Sequence, residues 1–143
     1  MEETVRARGH ENVTARHAST FEVTSEDYLT PAGDCILGIG ADRVPADFDP
    51  AFVEACRDPD AAIIATLAVD DGAGTVRTET ITGRGHPDLT FEDETSLVGR
   101  TSDYVDERTV LVGADRAAAD LDRSVVRALS EGADLVVRLR VEP

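Results

Sequence analysis

The sequence predicts a single α+β domain, internally duplicated, in which two strand-strand-strand-helix-strand repeats form a pseudo-twofold β-barrel of about eight strands with two helices. Three observations predict this architecture. A ten-residue phrase occurs twice, the apolar residues follow helix and strand periods in both halves, and neither half has enough strands to cover its own apolar face. Two halves around an axis would remove the exposed sheet edges.

The repeated phrase is "GADRVPADFD" at 40–49 and "GADRAAADLD" at 113–122. At an offset of 73 the match runs without a gap from 40–67 onto 113–140, which aligns Ile63 with Val136. At an offset of 76, "TVRARGHENVT" (4–14) lies on "TITGRGHPDLT" (80–90). We interpret these ordered matches as a tandem duplication, with repeats at 4–70 and 75–142 inside one domain spanning 1–143.

The predicted elements follow from periodicity and from turn residues. In the first repeat we expect strands at 4–8, 13–23, 35–41 and 62–69 and a helix at 49–58. Asp49 is the expected N-cap with Pro50 in the first turn, and Asp122 repeats the cap in the second half. The second helix could instead begin earlier, after Asp115, and it should end at Gly132. The segment "DDGAG" (70–74) predicts a hairpin between the halves.

The charge is the clearest feature of the composition. The chain of 143 residues has 29 acidic and 14 basic residues, a net charge of −15, and every basic residue is arginine. A folded protein with such a surface is typical of salt-loving archaea, and we expect it to loosen in low salt because self-repulsion is then unscreened. No apolar run approaches the roughly 20 residues of a membrane span, and no signal peptide is evident, so a cytoplasmic protein without a membrane partner is expected.

The chain resembles an archaeal protein family called domain of unknown function 371. The resemblance rests on "RGHENVTARHASTFEVTSEDYLTPAGDC" in the first half and "RTSDYVDERTVLVGADRAAADLDR" in the second, and it covers essentially the whole chain. It implies an archaeal, cytosolic protein and carries over no catalytic residue. Arginine or acidic residues stand at the family's usual lysine positions, which fits a halophilic version.

The doubled Arg-Gly-His segments are the first candidate site. Arg8 and His10 recur as Arg84 and His86, and each segment follows a first strand. If the two loops meet near the axis, two imidazoles and two guanidiniums could bind an anion or a metal. The alternative is that each segment is only the turn that both repeats need.

A second candidate pair occupies equivalent positions on the predicted second strands. His17 and Asp93 each interrupt an apolar strand face, where a polar side chain needs a partner. Pairing across the axis would orient an imidazole for general-base catalysis. A satisfied polar pair, or a strand end that reaches water, is the alternative interpretation.

Two further pairs end the predicted third strands. Asp42-Arg43 and Asp115-Arg116 could contribute to ligand binding, since ligands gather at carboxyl ends of strands in open sheets. The alternative is a helix cap with an ion-pair partner. Phosphate-loop, zinc-protease and serine-hydrolase motifs are absent, and Cys35 and Cys56 are expected to be core residues.

The sequence leaves three function classes open. The first is a binding protein for a small anionic ligand, held in a cleft between the two Arg-Gly-His loops. The second is a hydrolase or transferase acting on a phosphorylated or carboxylated metabolite with a His/Asp acid–base pair. The third, a nucleic-acid or ribonucleoprotein accessory module, is disfavoured because phosphate contacts weaken steeply with salt. No metal site is predicted, and cofactor and oligomeric state are left unassigned.

Overall fold

The computed structural model of the protein describes the whole chain, Met1–Pro143. It contains eight strands, two α-helices and two short 3₁₀ helices. In chain order they are β1 (Glu2–Arg8), β2 (Thr20–Thr24), β3 (Ile36–Gly38), the first 3₁₀ helix (Pro45–Asp47), α1 (Pro50–Cys56), β4 (Ala62–Asp70), β5 (Val76–Arg84), β6 (Ser96–Arg100), β7 (Thr109–Leu111), the second 3₁₀ helix (Ala118–Asp120), α2 (Arg123–Ser130) and β8 (Asp134–Glu142).

The strands form two four-stranded sheets that each combine both halves of the chain. The first sheet has the order β1-β8-β4-β5 and is antiparallel throughout. The second has the order β3-β2-β6-β7, with β2 and β6 antiparallel and each outer strand parallel to its neighbour. Exchanging β1 with β5, β2 with β6, β3 with β7 and β4 with β8 returns the same two orders. The α+β class is therefore confirmed, with matching connectivity in the two halves.

The predicted barrel is wrong, because the two sheets are not closed into one. Their edges meet only at two isolated bridges, Arg8 with Ile39 and Arg84 with Val112. Directly after each bridge the chain turns at a glycine in the left-handed region, Gly40 with φ of 64° or Gly113 with φ of 59°. Strand geometry ends there, so no continuous ladder can join the sheets.

The helix predictions are confirmed at their caps. Asp49 Oδ1 accepts the N–H of Ala51 at 2.8 Å, and Asp122 Oδ1 accepts the N–H of Ser124 at 2.8 Å. Pro50 opens α1, and Gly132 adopts a φ of 88° after α2. An α2 that begins after Asp115 is wrong, because the second 3₁₀ helix occupies that stretch.

The predicted second strands are too long at their N-terminal ends. β2 begins at Thr20 rather than at residue 13, and β6 begins at Ser96. Ala15 with φ of 49° and Phe91 with φ of 53° are left-handed, which interrupts any strand at those points. Both side chains are nevertheless buried. The apolar alternation therefore predicted their burial correctly and their secondary structure incorrectly.

One strand alignment is shifted by a residue. The sequence match places Ile63 on Val136, yet Ile63 is buried while Val136 is partly exposed and Leu135 is buried. Because side chains alternate between faces, a shift of one residue moves the whole apolar set to the other face. The buried faces of both sheets join the helices in a single core of 33 residues, in which α1 contacts β8 and α2 contacts β3 and β4.

Candidate functional site

Each Arg-Gly-His segment forms a turn against the C-terminal end of the helix from the other half of the chain. A side-chain carbon at Gly9 would collide with the carbonyl of Leu129 in α2. One at Gly85 would collide in the same way with the carbonyl of Cys56 in α1. Both turns therefore require glycine because the helix backbone passes too close for a side chain.

The two histidines of these turns hold the chain that follows them. His10 Nδ1 accepts the N–H of Asn12 at 3.0 Å, and His86 Nδ1 accepts the N–H of Asp88 at 3.0 Å. A neutral imidazole that accepts at Nδ1 carries its proton on Nε2. The turn role that sequence analysis gave as the alternative accounts for both Nδ1 atoms.

The two Arg-Gly-His turns do not meet. Arg8 lies on β1 and Arg84 on β5, which are the opposite edges of the first sheet. Arg8 pairs with a residue of β8 that in turn pairs with Asp70 of β4, whereas Arg84 pairs directly with Ala62 of β4. Eight residues along a strand span about 27 Å. The predicted cleft between the two loops is therefore wrong, because a small ligand cannot contact both.

Each arginine of these turns instead packs on the glycine of the neighbouring "GADR" phrase. The guanidinium of Arg8 lies over Gly40 and that of Arg84 over Gly113, where a side-chain carbon would collide with Nη1. Both arginines are exposed, and neither guanidinium forms a hydrogen bond or an ion pair with the protein. Each half thus holds one guanidinium against the backbone with all of its N–H groups free. We call these two positions the Arg8 corner and the Arg84 corner.

The aspartates of the "GADR" phrases extend the sheet edge. Asp42 Oδ1 accepts the N–H of Arg6 at 2.8 Å, and Asp115 Oδ1 accepts the N–H of Thr82 at 3.0 Å. Each carboxylate thereby replaces a backbone acceptor where the third strand has ended. Neither aspartate caps a helix or pairs with the arginine beside it, which corrects the alternative interpretation of these residues.

The arginines of the same phrases clamp the edge strands of the first sheet. Arg43 pairs with Glu3 at 2.8 Å, and Arg116 pairs with Glu79. Both also donate to a carbonyl of the edge strand and to one of the adjacent 3₁₀ helix. Glu3 is only 7% exposed, so its charge depends on this partner. These contacts are structural and leave both guanidiniums engaged.

His17 and Asp93 occupy matching positions but do not pair. His17 Nδ1 accepts the N–H of Thr20 at 3.1 Å, and Asp93 Oδ2 accepts the N–H of Ser96 at 2.7 Å. Each side chain caps the turn that leads into its own strand, β2 or β6, and no hydrogen bond or ion pair joins the two. The predicted acid–base pair is therefore wrong, while the satisfied polar role holds for each residue separately.

A cluster of charged residues beside β6 and β7 is absent from the sequence predictions. Arg100, which is 9% exposed, donates to Thr109 at 2.9 Å and to Asp106 at 2.9 Å, and its guanidinium lies 4.8 Å from the ring centre of Tyr104. Partial burial works to raise the pKa of Asp106, but hydrogen bonds from Arg108 and the charge of Arg100 outweigh it and lower the pKa to about 2. The carboxylate is thus held firmly in its charged form.

The signal for this cluster is the dense charge in "GRTSDYVDERT" (99–109). Comparison of the halves hides it, because Thr24 stands where the second half has Arg100. The cluster is a feature of one half only.

The two thiols are held in their protonated form. Burial raises the pKa of Cys35 to about 11 and that of Cys56 to about 12. A thiol at neutral pH is a poor nucleophile and a poor metal ligand. No group of three or more histidine, cysteine or carboxylate side chains is arranged to hold a metal ion.

Comparison with known proteins gives a family and a relative. A family described as Domain of unknown function (DUF371) matches residues 5–142. The Uncharacterized protein MJ0206 of Methanocaldococcus jannaschii is 40% identical over 141 residues, which are 99% of this chain and 100% of that protein. Neither α1 nor α2 is long and apolar enough to cross a membrane.

Proposed function

The chain belongs to the DUF371 family, and from this premise we propose that it is a non-catalytic binding protein for a small anion such as a phosphate or a carboxylate. The observation that carries the proposal is the pair of exposed guanidiniums at the Arg8 and Arg84 corners. Each lies against a glycine backbone, and no group of the protein occupies its N–H fork. A planar fork of this kind matches the geometry of carboxylate and phosphate oxygens.

The Arg84 corner is the stronger of the two sites. Asp134 lies directly opposite Arg8 on β8, whereas the neutral Ala62 lies opposite Arg84 on β4. A carboxylate beside the site repels an anion and attracts the guanidinium, and at an exposed surface these two effects weaken anion binding modestly. We therefore place the anion at Arg84 and expect weaker binding at Arg8.

A binding role fits the remaining polar groups better than an enzymatic one. His10, His17 and His86 each use Nδ1 to hold a turn, both thiols are protonated, and Asp93 caps a strand. Catalysis by a general base requires a base placed against an orienting partner. The one carboxylate within ion-pair range of a histidine is that of the exposed Asp88, which lies 3.9 Å from His86 Nδ1 and is too far for a hydrogen bond.

The origin and the cellular setting of the protein are two further inferences. We infer that the halves at 4–70 and 75–142 arose by internal duplication, since their connectivity, caps and glycine turns correspond. We also infer a halophilic, cytoplasmic protein from the net charge of −15 and the absence of lysine.

Substitution of Arg84 tests the anion site. Titration with inorganic phosphate in buffered potassium chloride, followed by ¹⁵N NMR of the arginine Nε–H groups, should shift the Arg84 resonance saturably. Arg84→Ala should weaken phosphate binding about tenfold because it removes the charged fork. Arg127→Ala is the matched control, since Arg127 is also exposed and its side chain has no partner in the protein. Equal weakening by both substitutions would assign the effect to net charge and overturn the proposal.

A further inference from the structure

A groove beside the start of α1 is formed by residues of the first half and by the segment 89–92 of the second half. Its cavity measures about 350 Å³, which is within the size range of small-molecule sites. Pro50, Phe48 and the segment 89–92 form its walls, and Glu54 and Glu92 lie at its rim. We call this cavity the Pro50 groove.

The corresponding place beside the start of α2 is filled by an arginine of the chain itself. Arg123 opens α2 as Pro50 opens α1, and its guanidinium donates to five backbone carbonyls. Nη1 reaches the carbonyls of Thr14 and Ala15 at 3.3 and 3.2 Å. Nη2 and Nε reach those of Ala118 at 3.0 Å, Ala119 at 3.2 Å and Leu121 at 3.1 Å.

The backbone around the two places has the same form. Ala15 and Phe91 are the two left-handed residues other than glycine, with φ of 49° and 53°. The N–H of Ala119 donates to the carbonyl of His17 at 3.0 Å, and that of Ala46 donates to the carbonyl of Asp93 at 3.1 Å. The carbonyls that hold Arg123 therefore have counterparts in the Pro50 groove.

Four of these counterparts have no donor. The carbonyls of Thr90, Phe91, Ala46 and Phe48 correspond to those of Thr14, Ala15, Ala119 and Leu121, and none of the four accepts a hydrogen bond from the protein. Proline at position 50 lacks the side chain that would supply one. The groove thus presents the acceptors of a guanidinium site without the guanidinium.

We propose that the Pro50 groove binds the guanidinium group of a small molecule. The arrangement of these carbonyls favours a planar guanidinium over a compact ammonium. Their counterparts around Arg123 accept N–H groups from Nε, Nη1 and Nη2, which lie in one plane. Phe48 and Phe91 line the groove as core residues, and their ring centres lie 5.8 Å apart, where the place filled by Arg123 has Leu121 and Ala15.

The charges around the groove agree with a cationic ligand. Glu54 and Glu92 outnumber the one positive lining residue, Arg57. Arg57 is itself engaged, since its Nε donates to the carbonyl of Pro87 at 3.0 Å and its Nη1 lies 3.8 Å from Glu54. Neither Arg84 nor Gly113 lines the Pro50 groove, so the guanidinium site and the anion site can be tested independently.

The test compares two small molecules. Agmatine carries a guanidinium group on a short aliphatic amine, and urea is neutral but has nearly the same planar shape as the guanidinium group. Agmatine titrated into the full-length protein should shift the amide resonances of Ala46, Thr90 and Phe91 saturably, and urea at equal concentration should not. Matching shifts from urea would overturn the proposal, and so would agmatine shifts located elsewhere on the protein.

Substitution of Pro50 gives an independent check. Pro50→Arg should place the chain's own guanidinium on these carbonyls, as Arg123 does, and weaken agmatine binding by about tenfold or more. Pro59→Arg, at an exposed turn, is the matched control and should bind agmatine as the unsubstituted protein does. Equal affinities in the two variants would overturn the proposal. Phosphate binding at Arg84 should be unchanged in Pro50→Arg, which separates this test from that of the anion site.

Discussion

The first residue of each helix marks the main difference between the two halves of the molecule. Arg123 ties α2 to the loop at Thr14 and Ala15, whereas Pro50 leaves the matching surface beside α1 open. The turns and backbone hydrogen bonds around both places match, and the side chain at the first helical position decides whether the carbonyls are occupied. This difference is why the guanidinium site is placed beside α1 and not beside α2.

A second difference lies in the charged cluster beside β6. Arg100 and Asp106 form a partly buried pair, and the first half has Thr24 in place of Arg100. Thr24 is buried and its Oγ1 accepts the N–H of Glu26 at 3.2 Å. The two halves thus stabilise equivalent strand ends with a charged network in one case and a single hydroxyl in the other.

The largest effect is expected at the glycine turns that both halves share. Gly9→Ala and Gly85→Ala should each lower the free energy of unfolding by about 3 kcal/mol, because the new methyl group collides with a helix carbonyl that cannot move freely. Denaturant unfolding in molar salt measures the change. Gly72→Ala is the control, since nothing lies within 4 Å of that position and only its φ of 77° opposes alanine. If one turn tolerated alanine, the halves would not be equivalent there.

A smaller effect is expected where the halves differ. Arg123→Ala should lower the free energy of unfolding by about 1–2 kcal/mol, because four carbonyls lose their only donor and that of Ala118 loses one of two. Pro50→Ala should cost about 0.5 kcal/mol, through the unfolded chain alone. Thermal and denaturant unfolding of the two variants give the comparison. Equal losses would mean that Arg123 does not hold its loop, and would remove the basis for the Pro50 groove as a guanidinium site.

The smallest effect concerns the cluster that only the second half has. The pKa of Asp106 falls from 3.8 to about 2 on folding, so its contribution to stability is present above about pH 4 and is lost as the pH falls through 2. Asp106→Asn should remove this part of the acid dependence and cost about 1 kcal/mol at neutral pH. Stability measured against pH for both proteins gives the difference. If the unfolding free energies of the unsubstituted protein and Asp106→Asn differed by the same amount at pH 5 and at pH 2, the lowered pKa would be contradicted.

The helix caps and the hairpin were predictable because their signals are local. Asp49 and Asp122 each bond within two residues of themselves, and the glycine after α2 is required by the angle of its own backbone. The second strands were overestimated, since alternating apolar residues indicate burial as well as strand. Ala15 and Phe91 are buried on a left-handed turn that the alternation does not reveal.

The candidate sites were less predictable, because the sequence match identified equivalent residues without their distances. Equivalence by a twofold axis brings two residues together only near that axis. Arg8 and Arg84 lie on β1 and β5, and the strand order places these two strands at opposite edges of the sheet.

The sequence by itself determined the α+β class, the position of each helix, the family and the net negative charge. These depend on residue identity, on short spacings and on charge, which do not change with the path of the chain. Only the tertiary structure decided that the sheets stay separate, that the paired Arg-Gly-His turns never meet, and that Arg123 fills a place which Pro50 leaves open. Each of these depends on which strands are neighbours, and strand order follows from long-range packing rather than from any local pattern.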